Sequence, residues 1–327
     1  MPTSSTRLFL SGDVMTGRGI DQILQHPSDP MLHESLVVDA RDYVQQAEEA
    51  NGPIPRAVGP AYPWGDVLGE LERAAPDARI VNLETAVTRS RDWEAKGINY
   101  RMHPENLGVL TAARIDVCAL ANNHLLDWGE AGLIETLTSL DEAGLSRAGA
   151  GLDIEEARAP AVVPLERGRV LVFSCATTSS GVPPRWAASE AKPGVFLLPG
   201  LSGATAKAFS EAVRSVRRPG DLVVASIHWG GNWGLPIPPE HRRFAHALIE
   251  AGAADLIHGH SSHHPLGIEV HRGRLILYGC GDFIDDYEGI TGHEAYRPEL
   301  RLLYLPELEI GSGRLRRLRM VPMRAER

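Results

Sequence analysis

Short apolar runs that stop abruptly at polar residues constrain the fold of this chain more than any other feature. They occupy residues 7–11, 78–81, 115–121, 222–227 and 254–257. Helical spacing of apolar residues lies between or near them, over residues 35–50, 132–143 and 239–251. Because strands that alternate with helices are typical of sheets flanked by helices, the pattern predicts an α/β fold.

Hairpin signals add antiparallel strands to this pattern. Turns rich in Gly and Arg join residues 162–164 to 170–173 and residues 268–270 to 275–278, and residues 300–305 and 315–321 form a closing pair. We therefore expect mixed sheets. A length of 327 residues allows one large domain or two small ones. Since nothing in the sequence is typical of a linker, we expect a single domain over residues 1–327.

Charge and composition limit the binding partners and the cellular location that we expect for this chain. The chain has 42 Asp and Glu residues against 33 Lys and Arg, so it lacks the basic excess of a protein that binds nucleic acid or anionic membranes. No run approaches the roughly 20 apolar residues of a membrane span, and the first residues do not resemble a signal peptide. The three cysteines have no CxxC spacing and fit buried free thiols. We expect a cytoplasmic protein without a nucleic-acid partner.

A histidine cluster follows the strand predicted at residues 254–257. Four of the 13 histidines fall within seven residues, at positions 258, 260, 263 and 264. Such a cluster is hard to explain as packing, because neighbouring imidazoles repel each other when protonated together. Neutral imidazole is also a common metal ligand, so the segment predicts metal binding.

Other potential ligands also follow apolar runs. Since open α/β sheets gather ligands at the carboxyl ends of their strands, distant strand ends are expected to meet in one cleft. Carboxylate, amide and imidazole groups together suit a divalent ion. Six such groups exceed the three protein ligands typical of one catalytic ion, so we predict two ions, ~3.5–4 Å apart, bridged by a shared carboxylate. The candidate ligands are Asp13, Glu84, Asn123, His228, His260 and His263.

Two further sets of residues are candidates for acid–base chemistry. His124 and Asp127 are three residues apart at a predicted strand-to-helix turn, where the carboxylate can orient the ring. A helix-capping pair is the alternative interpretation. Asp286 and His293 lie in and after an acidic loop and offer a second set that faces the metals. The alternative here is a solvated loop.

Six ordered motifs resemble the CapA family, named for poly-γ-glutamate capsule synthesis, which is similar to calcineurin-like metallophosphoesterases. The resemblance covers roughly residues 8–296. The motifs are Gly12-Asp13-Val14-Met15, Val81-Asn82-Leu83-Glu84-Thr85, Leu120-Ala121-Asn122-Asn123-His124, Ile227-His228-Trp229-Gly230, Gly259-His260-Ser261-Ser262-His263 and Tyr278-Gly279-Cys280-Gly281-Asp282-Phe283.

The resemblance implies a four-layer α/β/β/α sandwich of two mixed sheets with a dinuclear metal site in its central cleft. Asp13 matches the first metal ligand of metallophosphoesterases, and Glu84 falls at their bridging acidic position. Asn123 matches a metal-binding Asn, and His124 matches a His that contacts the substrate or leaving group. His228, His260 and His263 match the later histidine ligands.

The chain also departs from the metallophosphoesterase pattern. Met15 stands where those enzymes usually have a metal-binding His, and Asn82-Leu83-Glu84 replaces their second motif. Asp282 replaces an Asn that is frequent in the family. Which of the four clustered histidines bind metal stays open, as does the occupancy of both metal positions.

The preferred function is that of a divalent-metal-dependent hydrolase acting on a phosphoester or on a glutamyl or peptide-type carbonyl. The substrate would be a small molecule, a polymer or a peptide. The first alternative, which the resemblance implies, is a metal-dependent epimerase in a ribosomal, lasso-type peptide pathway that uses His and Asp acid–base pairs. The second alternative is a non-catalytic component of capsule or polymer biosynthesis.

Overall fold

A computed structural model describes residues 5–286 and 292–325 of the chain. The strands are β1 (Ser5–Val14), β2 (Ala78–Leu83), β3 (Ala86–Val87), β4 (Arg101–Met102), β5 (Val117–Ala119), β6 (Ser146–Ala148), β7 (Ala150–Gly151), β8 (Ala161–Pro164), β9 (Arg169–Ala176), β10 (Gly194–Val195), β11 (Leu222–His228), β12 (Leu256–His260), β13 (Ile268–His271), β14 (Arg274–Leu277), β15 (Asp282–Ile284), β16 (Leu300–Glu309) and β17 (Leu315–Arg324). The α-helices are α1 (Arg18–Ile23), α2 (Arg41–Asn51), α3 (Val67–Ala74), α4 (Gly108–Ala112), α5 (Gly129–Glu142), α6 (Ile154–Arg158), α7 (Gly203–Val216) and α8 (Pro239–Glu250).

The first sheet is built around the N-terminal strand. Its order is β17-β16-β1-β2-β5-β6, and β15 pairs with the end of β1. Strands β1, β2, β5 and β6 run parallel, whereas β16 and β17 are antiparallel to their neighbours. The carboxyl ends of the parallel strands therefore lie at one edge of this sheet.

The second sheet has the order β13-β14-β12-β11-β9-β8. Its four central strands are parallel, and an antiparallel hairpin partner closes each side. Two small sheets pair β3 with β4 and β7 with β10. The expected mixed α/β architecture with hairpins is confirmed.

Alternating side chains distribute the core over both faces of each sheet. Leu8 and Leu10 of β1 share an apolar cluster with Leu222 and Val224 of β11, so the two sheets pack against each other. Phe9, between the two leucines, belongs to a second cluster with residues of α3 and α5. A third cluster packs the other face of the second sheet against α7 and α8. This distribution is compatible with the expected α/β/β/α order of layers.

The helix predictions differ in accuracy. The helices expected at residues 132–143 and 239–251 are present as α5 and α8. The helix expected at residues 35–50 begins later, at Arg41, so the first six positions are wrong. Leu36, which supplied part of the helical spacing, is 94% exposed before α2. Its apolar side chain therefore gains no packing that would favour a helix there.

Among the described residues, no helix is both long enough and apolar enough to cross a membrane.

Candidate metal centre

The first sheet brings three carboxyl groups to the edge where its parallel strands end. Asp13, near the end of β1, is in register with Asp282 at the start of β15. Glu84 follows β2 directly, and its backbone N–H donates to the carbonyl of Val14. All three acidic residues are at most 3% exposed. Parallel pairing thus concentrates acidic side chains that are far apart in the sequence.

The second sheet brings imidazoles to the same place. His228 ends β11 and His260 ends β12, and the two residues are in register. Their Nδ1 atoms lie 2.7 Å apart, and Nε2 of His228 lies 2.9 Å from Oδ1 of Asn123. Nε2 of His228 is also 3.8 Å from Oε1 of Glu84. The two sheets therefore meet through their polar strand ends.

Two groups of potential metal ligands share Asp13. Asp13, His228 and His260 form the first group, and Asp13, His263 and Asp282 form the second. In each group, one donor atom per residue lies within 4.8 Å of the others. The carboxylate common to both groups is that of Asp13. The family resemblance, in contrast, implied that Glu84 occupies the bridging position. His263 Nδ1 is 2.8 Å from Oδ1 of Asp282, a residue absent from the predicted ligands.

Burial sets the protonation of these groups. Burial, and next the charge of Asp282, raises the pKa of Asp13 to about 7. Burial and then the charge of Asp13 raise the pKa of Glu84 well above its usual range. Burial lowers the pKa of both His228 and His260 well below the ordinary value, so their rings are neutral. Neutral imidazoles are the form that binds metal.

The donor set fits a divalent cation. Oδ2 of Asp13 is buried without a hydrogen-bond partner among the described residues. Buried carboxylates repel each other unless a positive charge lies between them, and a divalent ion supplies such a charge. Carboxylate oxygens with imidazole nitrogens suit borderline ions better than Mg²⁺ or Ca²⁺, which prefer oxygen ligands.

Asn82 holds two of the carboxylates, a role that sequence reasoning missed. Its Nδ2 donates to Oδ1 of Asp13 at 2.8 Å and to Oε2 of Glu84 at 2.9 Å. Its Oδ1 accepts from Nδ2 of Asn122 at 3.1 Å. The sequence signal that could have identified Asn82 was its amide in the Asn-Leu-Glu motif. Sequence alone, however, does not tell a residue that positions ligands from a ligand.

His124 and Asp127 form the predicted pair, and a lysine joins them. Nδ1 of His124 lies 2.6 Å from Oδ2 of Asp127, and its Nε2 lies 3.9 Å from Oε1 of Glu84. Lys96 donates to Oδ1 of Asp127 at 2.7 Å and also contacts the backbone carbonyl of Asn123. Burial lowers the pKa of His124 to about 4, which leaves the ring neutral. Sequence reasoning missed Lys96. The signal that could have identified it is the scarcity of lysine, since the chain has three.

The second predicted pair has separate contacts. Arg18 donates to Oδ1 of Asp286 at 2.7 Å, and the backbone of Gly19 donates to Oδ2 at 2.7 Å. His293 stacks on Trp233 with ring centres 3.9 Å apart, and Trp233 lies 5.3 Å from the ring of His263. The Asp286 geometry favours anchoring of Arg18, and an acid–base role for Asp286 and His293 stays a prediction.

The other two clustered histidines have different surroundings. Nε2 of His258 lies 2.7 Å from the carbonyl of Ser11, and its Nδ1 lies 3.1 Å from Oγ of Ser226. Both ring nitrogens thus have partners, that of Nε2 in β1 of the first sheet and that of Nδ1 in β11, which neighbours β12 in the second sheet. His264 stacks on Tyr296 with ring centres 4.3 Å apart. His260 and His263, in contrast, belong to the donor groups around Asp13, which favours them as the metal-binding members of the cluster.

Comparisons with known proteins find relatives over most of this chain. A probable polyglutamine synthesis accessory protein of Mycobacterium tuberculosis is 50% identical over 323 residues, which cover 98% of this chain and 85% of the relative. The PGA biosynthesis protein CapA of Bacillus subtilis is 29% identical, over 79% of this chain and 64% of the relative.

Solved structures share the fold at low sequence identity. The structure of a phosphatase from Mycoplasma pneumoniae aligns with a TM-score of 0.55 at 12% identity, over 98% of this chain and 94% of that chain. A hypothetical protein from Thermus thermophilus aligns with a TM-score of 0.50 at 14% identity, over 97% and 99% of the two chains.

A protein-family model gives the broadest assignment. The model described as bacterial capsule synthesis protein PGA_cap matches residues 7–287, which contain all of the ordered motifs. The resemblance inferred from those motifs is thereby confirmed. The chain belongs to the bacterial capsule synthesis protein PGA_cap family.

Proposed function

We propose that this protein is a divalent-metal-dependent hydrolase that acts on a phosphoester or a glutamyl-type carbonyl in the synthesis of a glutamate polymer. The observation that carries the proposal is the position of Asp13, shared by two groups of buried donors. The names of the relatives, a polyglutamine synthesis accessory protein and a PGA biosynthesis protein, support the polymer context.

The donor groups would hold two ions with Asp13 between them. His228 and His260 complete one site and His263 and Asp282 the other, while Glu84 and Asn123 lie beside the first. Bound divalent ions supply polarisation of the scissile bond and neutralisation of the negative charge that develops on it.

The chain itself supplies the proton transfer. Asp127 fixes the ring of His124 through Nδ1, and Lys96 holds Asp127 from its other oxygen. Nε2 of His124 is thereby directed toward Glu84 and the donor cluster. In hydrolysis, this nitrogen would take a proton from the attacking water and return it to the leaving group as the scissile bond breaks.

The test is turnover of simple substrates by the metal-loaded full-length protein. Mn²⁺-loaded protein should hydrolyse p-nitrophenyl phosphate, bis-p-nitrophenyl phosphate or γ-glutamyl-p-nitroanilide, and Asp13→Asn should abolish the activity. Asp116→Asn is the matched control, because Asp116 accepts from the backbone of Arg79 and lies outside the two donor groups. Bound metal without turnover of any of these substrates would instead support a non-catalytic accessory role.

A second candidate function is epimerisation of a peptide residue. Two His–Asp pairs favour it, since His124–Asp127 and His263–Asp282 have contacts of 2.6 Å and 2.8 Å. One pair would remove the Cα proton and the other would return a proton to the opposite face, and in this case His263 and Asp282 would not hold an ion. Incubation of candidate peptides in D₂O would then add one mass unit per epimerised residue. Unchanged peptide mass would eliminate this candidate.

A further inference from the structure

A second cluster of metal-binding side chains lies on the outer side of the second sheet. It consists of His246 in α8 with Glu269 and His271 in β13. One donor atom from each residue lies within 4.8 Å of the others, and Nε2 of His246 is 2.8 Å from Oε1 of Glu269. All three residues are partly exposed. None of them belongs to the two groups around Asp13.

The fold brings these side chains together by simple periodicity. Glu269 and His271 are two residues apart in a strand, so they project from the same face of β13. Strand β13 is the edge strand of its sheet, and α8 lies against this face. Because one ligand comes from the helix and two come from the strand, an ion here would join two separate elements.

A second layer of contacts orients two of the three ligands. The hydroxyl of Tyr278 donates to Oε2 of Glu269 at 2.8 Å, which leaves Oε1 toward the cluster. Oε1 of Glu250 lies 3.0 Å from Nε2 of His271, which leaves Nδ1 for an ion. A carboxylate that holds the far nitrogen of a ligating imidazole is a recurrent feature of metal sites and raises the basicity of the ligand.

Two features oppose ion binding. The rings of His246 and His271 stack with centres 3.7 Å apart and planes at 7°, so the rings must tilt before their lone pairs converge on one ion. Arg242 lies 3.5 Å from Oε2 of Glu269, and Arg272 lies 3.2 Å from Glu250. Both arginines are more than half exposed, so solvent screens their charge. We therefore expect affinity below that of a fully buried site.

We propose that His246, Glu269 and His271 bind a further metal ion, a borderline transition ion such as Zn²⁺, which joins α8 to the edge strand β13. Two imidazoles and one carboxylate match the ligand set that Zn²⁺ accepts with water in the fourth position. The same set is poor for Mg²⁺ and Ca²⁺, which prefer oxygen ligands. The inference is independent of the proposed hydrolase function.

The test counts bound zinc in the full-length protein. Wild-type protein and the His246→Gln/His271→Gln variant are equilibrated with Zn²⁺, passed through a desalting column and analysed for metal. The variant should bind one zinc ion fewer per chain. His26→Gln is the matched control, since His26 also pairs with a glutamate, Glu105, at 3.2 Å on the surface. An equal zinc content in the double variant and wild type would overturn the proposal.

A second measurement separates the new site from the centre at Asp13. In an Asp13→Asn background, isothermal titration should still detect one zinc site, and Glu250→Gln should weaken it roughly 10-fold to 100-fold. His246→Gln/His271→Gln in that background should remove the signal. Loss of the remaining zinc site on Asp13→Asn alone would assign all binding to the centre and contradict the inference.

Discussion

Asn82 shows how one neutral side chain organises the charged centre. Its amide donates to Asp13 and Glu84 together, so it sets the distance between two carboxyl groups that would otherwise repel each other. Asn122 in turn holds the Asn82 amide in place. Its Nδ2 donates to Oδ1 of Asn82 and to the backbone carbonyl of Leu83. The ligand geometry therefore depends on residues that need not touch an ion.

Replacement of Asn82 by leucine tests this role. Asn82→Leu keeps the approximate volume but removes the donor, and we expect metal affinity to fall about 10-fold to 100-fold, as for other residues that orient ligands. Titration with Mn²⁺ measures the change. Asn106→Leu is the matched control, because Asn106 is a buried amide that donates to Asp21. It should lower stability and leave Mn²⁺ affinity unchanged.

The proposed proton-transfer role of His124 makes a prediction about the rate of hydrolysis. His124→Gln should lower kcat about 100-fold with unchanged metal content, because general acid–base catalysis contributes factors of about 10² to 10⁴. Lys96→Met should lower kcat less, about 10-fold, since the contact between His124 and Asp127 remains. Steady-state kinetics with elemental analysis measure both. Lys192→Met alters an exposed lysine near Glu130 and is the control. An unchanged kcat in Lys96→Met would show that Lys96 does not position the pair.

At the scale of elements, the centre depends on the close approach of β1 and the turn before β15. The backbone N–H of Asp13 donates to the carbonyl of Gly281 at 3.0 Å. A Cβ atom at Gly12 would lie 1.5 Å from that same oxygen. Glycine at position 12 therefore allows the contact that sets Asp13 beside Asp282.

Gly12→Ala should separate these two elements. We expect the free energy of unfolding to fall by about 3 kcal/mol or more, since the added methyl group meets backbone rather than a mobile side chain. Urea denaturation of the metal-free protein measures it. Gly59→Ala is the control, because a Cβ there meets nothing within 4 Å. That variant should change stability by less than about 1 kcal/mol.

At the scale of the whole molecule, the candidate centre joins the two sheets. Asp13 and Asp282 come from the first sheet, and His228 and His260 come from the second. The apolar cluster that contains Leu10 also packs between the two sheets. An ion bound to donors from both sheets would add a direct link between them.

Metal binding should therefore raise the melting temperature. At a Mn²⁺ concentration about 100 times the Kd, the stabilisation is about 2.7 kcal/mol, which corresponds to a shift of about 4 °C for a protein of this size. Differential scanning calorimetry with Mn²⁺ or with a chelator measures the shift. Asp13→Asn should remove it, and Asp116→Asn should retain it. A shift of equal size in Asp13→Asn would place the stabilising ion elsewhere.

Structural features that depend on residues close in sequence were predicted better than features that depend on distant residues. The longer strands and the hairpins were predicted because each depends on local alternation and turn residues. Several short strands were missed, among them β15, which carries Asp282. The start of α2 was predicted too early, because Leu36 fits helical spacing but is exposed and gains no packing. Among the proposed site residues, strand-end position pointed to His228 and His260. Strand-end position did not distinguish these two residues from His258, whose ring nitrogens contact Ser11 and Ser226.

The order of residues in this chain was sufficient to establish the α/β architecture, the family and the donor types that gather at the strand ends, since each is written in local pattern or in motif. Tertiary structure decided that Asp13 is shared by two donor groups, that Asp282 lies beside it, and that Asn82 and Lys96 hold neighbouring carboxyl groups in place. The physical reason is that register between strands, and the direction of a side chain in a buried cleft, depend on packing between segments up to about 270 residues apart.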